Sequence, residues 1–134
     1  MYTSEISLRV RYGETDQMGY VYYGNYAEYF EVARVEALRN LGLSYKAIEE
    51  KGVLLPVYSY SVKFFKPAYY DDVLSIKTEI REIPLARITF YYKTYNLSDV
   101  LLNEAETTLV FISRESGKPI AATEDIVAKL KLFF

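Results

Sequence analysis

The group best placed to do chemistry in this sequence is Asp16, within the segment YGETDQMGYVYYGNYAEYFEVARVEALRNLG that spans residues 12–42. Farther along it, Asn25 stands where a helix should begin. Asn25 reads as an N-cap, and Glu28 three residues on completes a capping-box pair. Tyr26, Tyr29, Phe30, Ala33, Ala37, Leu38 and Leu41 recur at spacings of three and four, the stripe of one long amphipathic helix. Gly42 supplies the left-handed residue that ends it. A carboxylate thus lies a few residues before a helix N-terminus with free N–H groups. Those groups can meet an oxyanion as it develops on an acyl carbonyl. By spacing alone Asp16 has a second reading, as a loop cap bonding the N–H groups of Met18 and Gly19. Gly19 and Gly24 divide likewise, into turn residues at positive φ or points where substrate approaches the backbone.

Such a helix needs a sheet to lie on, and the rest of the chain supplies one. Residues 5–12 alternate, with Ile6, Leu8, Val10 and Tyr12 on one face. Ser44 caps a short helix through Lys51, with Gly52 as its stop. Residues 57–65 alternate again, Tyr58, Tyr60, Val62 and Phe64 against Ser59, Ser61 and Lys63, until Lys66-Pro67. Asp71-Asp72 opens a strand whose Leu74, Ile76, Thr78 and Ile80 face one way. Ile83-Pro84 interrupts, residues 87–95 resume, and 96–99 form a turn. A last strand covers 101–112, a turn 116–119, and a short terminal helix 124–132. Short connections favour antiparallel neighbours, so the expected class is α+β: a curved antiparallel sheet of about five strands around one long helix. One helix covers little of such a sheet, which calls for strong curvature, a partner subunit, or both.

Composition narrows the chemistry. At 134 residues the chain is expected to be one domain over residues 1–134, with room for a sizeable core. It has no cysteine and no histidine, which removes Ser-His-Asp and Cys-His catalysis, disulfides and most zinc sites. A net charge of −2 without a dense basic patch argues against a nucleic-acid partner. No stretch is apolar for long enough to insert stably in a membrane, and no basic-then-apolar leader opens the chain, so a cytoplasmic protein is expected. Tyrosine is the outlier at 15 residues, suited to core edges, interfaces and pocket walls.

The run Asp16-Gln17-Met18-Gly19-Tyr20-Val21-Tyr22-Tyr23-Gly24-Asn25-Tyr26, followed by Phe30-Glu31-Val32-Ala33-Arg34, resembles the signature of the 4-hydroxybenzoyl-CoA thioesterase family. These are hot-dog-fold acyl-CoA thioesterases, and strand order, helix position and the Phe65-Lys66-Pro67-Ala68 to Asp72 junction also match their pattern. The resemblance implies hydrolysis of an acyl-CoA substrate to a free acid and coenzyme A, with no metal or other cofactor. It implies Asp16 as catalytic carboxylate, nucleophile or general base, and backbone N–H groups near Tyr23, Gly24 and Asn25 as the oxyanion and substrate-binding donors. It also implies a homodimer or homotetramer with active sites shared between subunits. Many family members carry histidine seven residues after the aspartate; this chain has Tyr23 there, able to donate a hydrogen bond but a poor base near neutrality.

Three other features bear on function. Arg87, Lys93, Arg114 and Lys118, on late strands and turns, are the candidate contacts for coenzyme A phosphates, or else part of a solvated face. Glu31 and Arg34, one turn apart, read as an exposed ion pair or as residues facing an interface or pocket. The alternatives in function are a thioesterase acting on acyl carrier protein and a non-catalytic acyl-binding hot-dog domain. Hot-dog dehydratases fit less well, since those usually need a histidine.

Overall fold

In the computed structural model, which describes residues 1–134, the first alternating stretch becomes β1, Tyr2–Arg9. Its even positions turn inward, with Tyr2 and Ser4 buried and Ile6 and Leu8 half-buried. That face ends at Val10. Tyr12, expected to continue it, instead starts a 3-10 turn (Tyr12–Glu14) and is 77% exposed. The Glu14 carboxylate accepts the Arg11 N–H at 2.7 Å and so draws the chain out of the strand.

The long helix α1 spans Asn25–Asn40 and buries Tyr26, Tyr29, Phe30, Ala33, Ala37 and Leu38, as the stripe required, together with Arg34. Its start differs from expectation. Gly24 occupies the N-cap position with helical dihedrals, and no side chain caps the helix. Residues 22–24 already turn helically, since the N–H groups of Asn25 and Tyr26 donate to Tyr22 O (2.9 Å) and Tyr23 O (3.2 Å). Asn25 therefore falls one step inside the helix, its expected box with Glu28 does not form, and its Nδ2 donates to Glu14 O instead. Gly42 does end the helix, at φ +90°, with Leu43 N–H returning to Leu38 O at 2.9 Å.

Next come α2 (Tyr45–Glu50), where Ser44 Oγ accepts the Ala47 N–H, and a two-residue strand β2 (Val53–Leu54) that no periodicity announces. The remaining strands are β3 (Val57–Phe64), β4 (Val73–Ile80), β5 (Arg87–Tyr95) and β6 (Leu101–Val110). The expected 101–112 strand breaks at the fully buried Phe111; beyond it β7 (Ile112–Ser113) leaves the main sheet to pair with β2. Helix α3 (Glu124–Lys131) follows.

The main sheet is antiparallel throughout, in the order β1-β4-β5-β6-β3. Its inner face carries Leu74, Ile76, Thr78 and Ile80 beside Ile88, Phe90, Tyr92 and Thr94, all buried. Helix α1 lies over β1 and β4, and Phe30 stacks on Tyr92 with ring centroids 4.6 Å apart. The far strand β3 meets α1 through aromatic rings, Tyr26 with Phe64 (centroids 5.5 Å apart) and Phe30 with Tyr60 (6.3 Å). Tyr60 and Phe64 pair with inner-face Thr107 and Asn103, yet stay 40% and 49% exposed. No helix of the chain is long and apolar enough to cross a membrane.

Candidate active site

Between the 3-10 turn and α1 the chain makes a tight loop closed by a bridge between Thr15 and Val21. Asp16 N–H donates to Tyr20 O at 2.8 Å, and Gly19 at φ +81° donates to Asp16 O at 2.9 Å. The Asp16 carboxylate braces this turn, since Oδ1 accepts from the N–H groups of Met18 (2.9 Å) and Tyr20 (3.2 Å). So the capping geometry exists, with Tyr20 rather than Gly19 as the second donor. It uses one oxygen only. Oδ2 makes no hydrogen bond within the chain, and Asp16 remains half-exposed. Capping orients this carboxylate without consuming it.

The start of α1 supplies the complement. The N–H groups of Tyr23 and Gly24 donate to nothing in the chain, whereas that of Asn25 is spent on Tyr22 O. Gly24 has an ordinary negative φ of −64°, so it is not a positive-φ turn residue. Its lack of a side chain matters for another reason: a Cβ there would stand 2.8 Å from the Tyr22 ring. Two free amides at a helix N-terminus, one on glycine, make an anion-seeking end.

Asp16 and Tyr23 share a cleft of about 270 Å³ whose walls include Tyr20, Tyr26, Phe64 and Lys66. Most of its lining is apolar. Burial pushes the Tyr26 hydroxyl up to about 12, an effect the Asn103 amide behind it partly offsets, although no hydrogen bond of good geometry joins them. Tyr26 therefore stays a neutral donor. Two larger hollows exist, about 430 Å³ on the outer sheet face beside Lys63, Lys93 and Glu104, and about 530 Å³ beside Ile48 and Asp125. The first includes no helix N-terminus. The second includes the start of α3, but the Asp125 carboxylate there is taken by the Ile126 N–H and by Lys51, so the smaller cleft is the chemically competent one.

Glu14 is the residue that sequence reasoning passed over. It is 8% exposed, and Oε1 accepts from Tyr29 Oη at 2.8 Å as well as from Arg11 N–H. Oε2 takes the Arg11 guanidinium at 3.0 Å. Burial alone would raise this carboxyl, but the Arg11 N–H, the guanidinium and the Tyr29 hydroxyl outweigh it and hold it below the ordinary carboxylate range. Burial and the Glu14 charge push the Tyr29 hydroxyl up, so it is a firm donor. The available signal was a buried-stripe tyrosine facing an acid just upstream of Asp16, which only tertiary proximity makes legible.

The candidate phosphate contacts lie elsewhere. Arg87 stacks its guanidinium on the Tyr58 ring at 4.1 Å, and Lys93 sits beside Glu104 on the outer sheet face. Arg114 and Lys118 lie in the turn after β7. None of the four lines the Asp16 cleft; Lys66 is the cation that does. Glu31 and Arg34 form no ion pair: Glu31 is exposed, while Arg34 is 7% exposed with Nε unpaired.

Residues 10–130 match the family described as the thioesterase-like superfamily. The acyl-CoA thioester hydrolase YbgC of Escherichia coli is 36% identical over 124 residues, 92% of this chain and 92% of its own length. The DHNA-CoA thioesterase of Staphylococcus aureus is 33% identical and superposes with a TM-score of 0.87, covering 100% of this chain and 85% of that one. A mutant 4-hydroxybenzoyl-CoA thioesterase bound to 4-hydroxybenzoyl-CoA is 22% identical, with a TM-score of 0.86 over 96% of this chain and 99% of its own. That is a likeness of fold.

Proposed function

The chain belongs to the thioesterase-like superfamily and is an acyl-CoA thioester hydrolase, and we propose that Asp16 is its catalytic carboxylate. The observation that carries this reading is the free Oδ2 of a carboxylate held by its other oxygen, in an apolar cleft that Tyr23 also lines, with the Tyr23 and adjoining Gly24 amides unpaired at the start of α1. The acyl group enters the cleft, and its thioester carbonyl faces the N–H groups of Tyr23 and Gly24. Ionised Asp16 either attacks that carbonyl or takes a proton from the attacking water. The oxyanion that forms is stabilised by the two amides, each donor of this kind being worth about 3 kcal/mol in other enzymes. Where water attacks, collapse expels the coenzyme A thiolate and leaves the free acid. Where Asp16 attacks, collapse expels the same thiolate and leaves a mixed anhydride on Asp16 that water then hydrolyses to the acid. In either case the Tyr23 hydroxyl donates to the carbonyl or to the leaving sulfur. Asn25 contributes by anchoring the helix start through Nδ2 rather than by its backbone N–H. A cleft of about 270 Å³ suits a compact acyl group. Lys66 meets the phosphate-bearing part of coenzyme A, joined in the assembled protein by some of Arg87, Lys93, Arg114 and Lys118.

The assembly proposed is a homodimer at least, built through the bare β3 edge, with the cytoplasm as its working compartment. Exposed Tyr60 and Phe64 on the inner sheet face support it, since one helix covers them only in part.

The test is thiol release from a panel of acyl-CoAs, read with a thiol-reactive dye; with no cysteine, the protein adds no background. Asp16→Asn keeps an acceptor for Met18 and Tyr20 but removes the charge. Turnover should fall at least about a hundredfold with folding and acyl-CoA binding nearly intact. Near-wild-type turnover would overturn the assignment. Repeated cycles in ¹⁸O-water then separate the roles, because only a nucleophilic carboxylate retains label.

A further inference from the structure

We infer that Glu14 is a positioning residue for the hydrolysis, the clamp that fixes the Asp16 loop against the N-terminal turn of α1; this rests on the catalytic reading of Asp16. The helix holds Glu14 at both ends of the residue. Tyr29 Oη donates to its carboxylate at 2.8 Å, and Asn25 Nδ2 donates to its carbonyl at 2.9 Å. Asn25 and Tyr29 are four residues apart, hence on one face of the first helical turn. Tyr22 N–H donates to the same Glu14 carbonyl at 2.8 Å, tying the far side of the loop to the same point. Asp16 is two residues after this clamp, and the amides of Tyr23 and Gly24 lie between the Tyr22 and Asn25 donors.

The carboxylate and the oxyanion donors therefore refer to one common anchor. Their separation is set by three donors converging on Glu14, not by the intrinsic stiffness of a loop that contains glycine at φ +81°. Proximity effects in catalysis fall steeply with misplacement of about 1 Å, so loosening the clamp should slow the chemical step more than substrate binding. Glu14 itself is buried and does not line the cleft. It acts through Asp16.

Tyr29→Phe removes one donor from Glu14 while keeping the ring in the core, and Glu14→Gln removes the charge while keeping an acceptor for Tyr29. If either variant fails to fold, the other carries the test. Each should lower kcat about fivefold to tenfold, the loss of roughly one net hydrogen bond, with KM within about twofold of wild type. The decisive measurement repeats the substitution in an Asp16→Asn background. A residue that works by positioning Asp16 has nothing left to position there, so the residual rate should be unchanged by the second substitution. An equal fold-loss in both backgrounds, or unchanged kcat in a folded single variant, overturns the clamp and leaves Asp16 standing. Full turnover in Asp16→Asn alone would instead overturn the catalytic reading, and the clamp with it.

Discussion

Two acids separated by one residue have opposite duties here, and burial decides which is which. Asp16 is half-exposed and gives one oxygen to its turn, while Glu14 is buried with both oxygens taken. The second arrangement has a thermodynamic signature. Because the folded Glu14 pKa lies below its ordinary value of about 4.3, the stability it supplies is fully present above that value. It is lost as pH falls through the lower folded pKa. Glu14→Gln should therefore be less stable than wild type at pH 7, and the gap should close below about pH 4. Thermal unfolding of both proteins from pH 7 to pH 3 measures this, since other carboxylates titrate in both and cancel. A gap that widened on acidification would contradict the sign.

At the level of elements, α1 is defined more sharply at its end than at its beginning. The end depends on one backbone conformation, Gly42 at φ +90°, which lets Leu43 N–H reach back to Leu38 O. An L-residue pays a conformational penalty there, so Gly42→Ala should destabilise the fold by about 1 kcal/mol. Its Cβ would meet Lys129 Nζ at 3.2 Å, the far end of a movable side chain, so sterics add little. Denaturant unfolding reads the loss, and a neutral or stabilised variant would show that the strain is relieved elsewhere. The helix beginning has no such single residue. Its helical turn starts in residues 22–24, and the Tyr23 and Gly24 amides of that turn have no partner in the chain.

For the whole molecule the asymmetry of cover is the main fact. Helix α1 shields β1 and β4, while on β3 it touches Phe64 and Tyr60 through Tyr26 and Phe30 and leaves both aromatic rings partly exposed. In sedimentation velocity at micromolar concentration the protein should run as a dimer or larger. Tyr60→Glu places a charge on the partly covered face, at a position 40% exposed in the single chain. It should shift the protein toward monomer while leaving the monomer folded, and turnover should fall with dissociation if the site is shared. A wild-type monomer would remove both the assembly and the shared site.

Periodicity reports which side of an element is dry, and that was enough for most of this molecule. The inward residues of β4 and β5, the stripe of α1 and the glycine stops at Gly42 and Gly52 all follow from local spacing and backbone sterics. Local chemistry also placed Asp16 before a helix N-terminus. What spacing lacks is the identity of the partner that a polar group meets after folding. Asn25 has the composition of a cap but meets the Glu14 carbonyl, eleven residues back, and Tyr29 has the spacing of core but also carries a donor for a buried acid. Likewise β2 and β7, two residues each, exist only because they find one another across the chain. A helix face or a strand is encoded by neighbours in sequence, whereas a clamp, a short sheet and a cleft are encoded by neighbours in space.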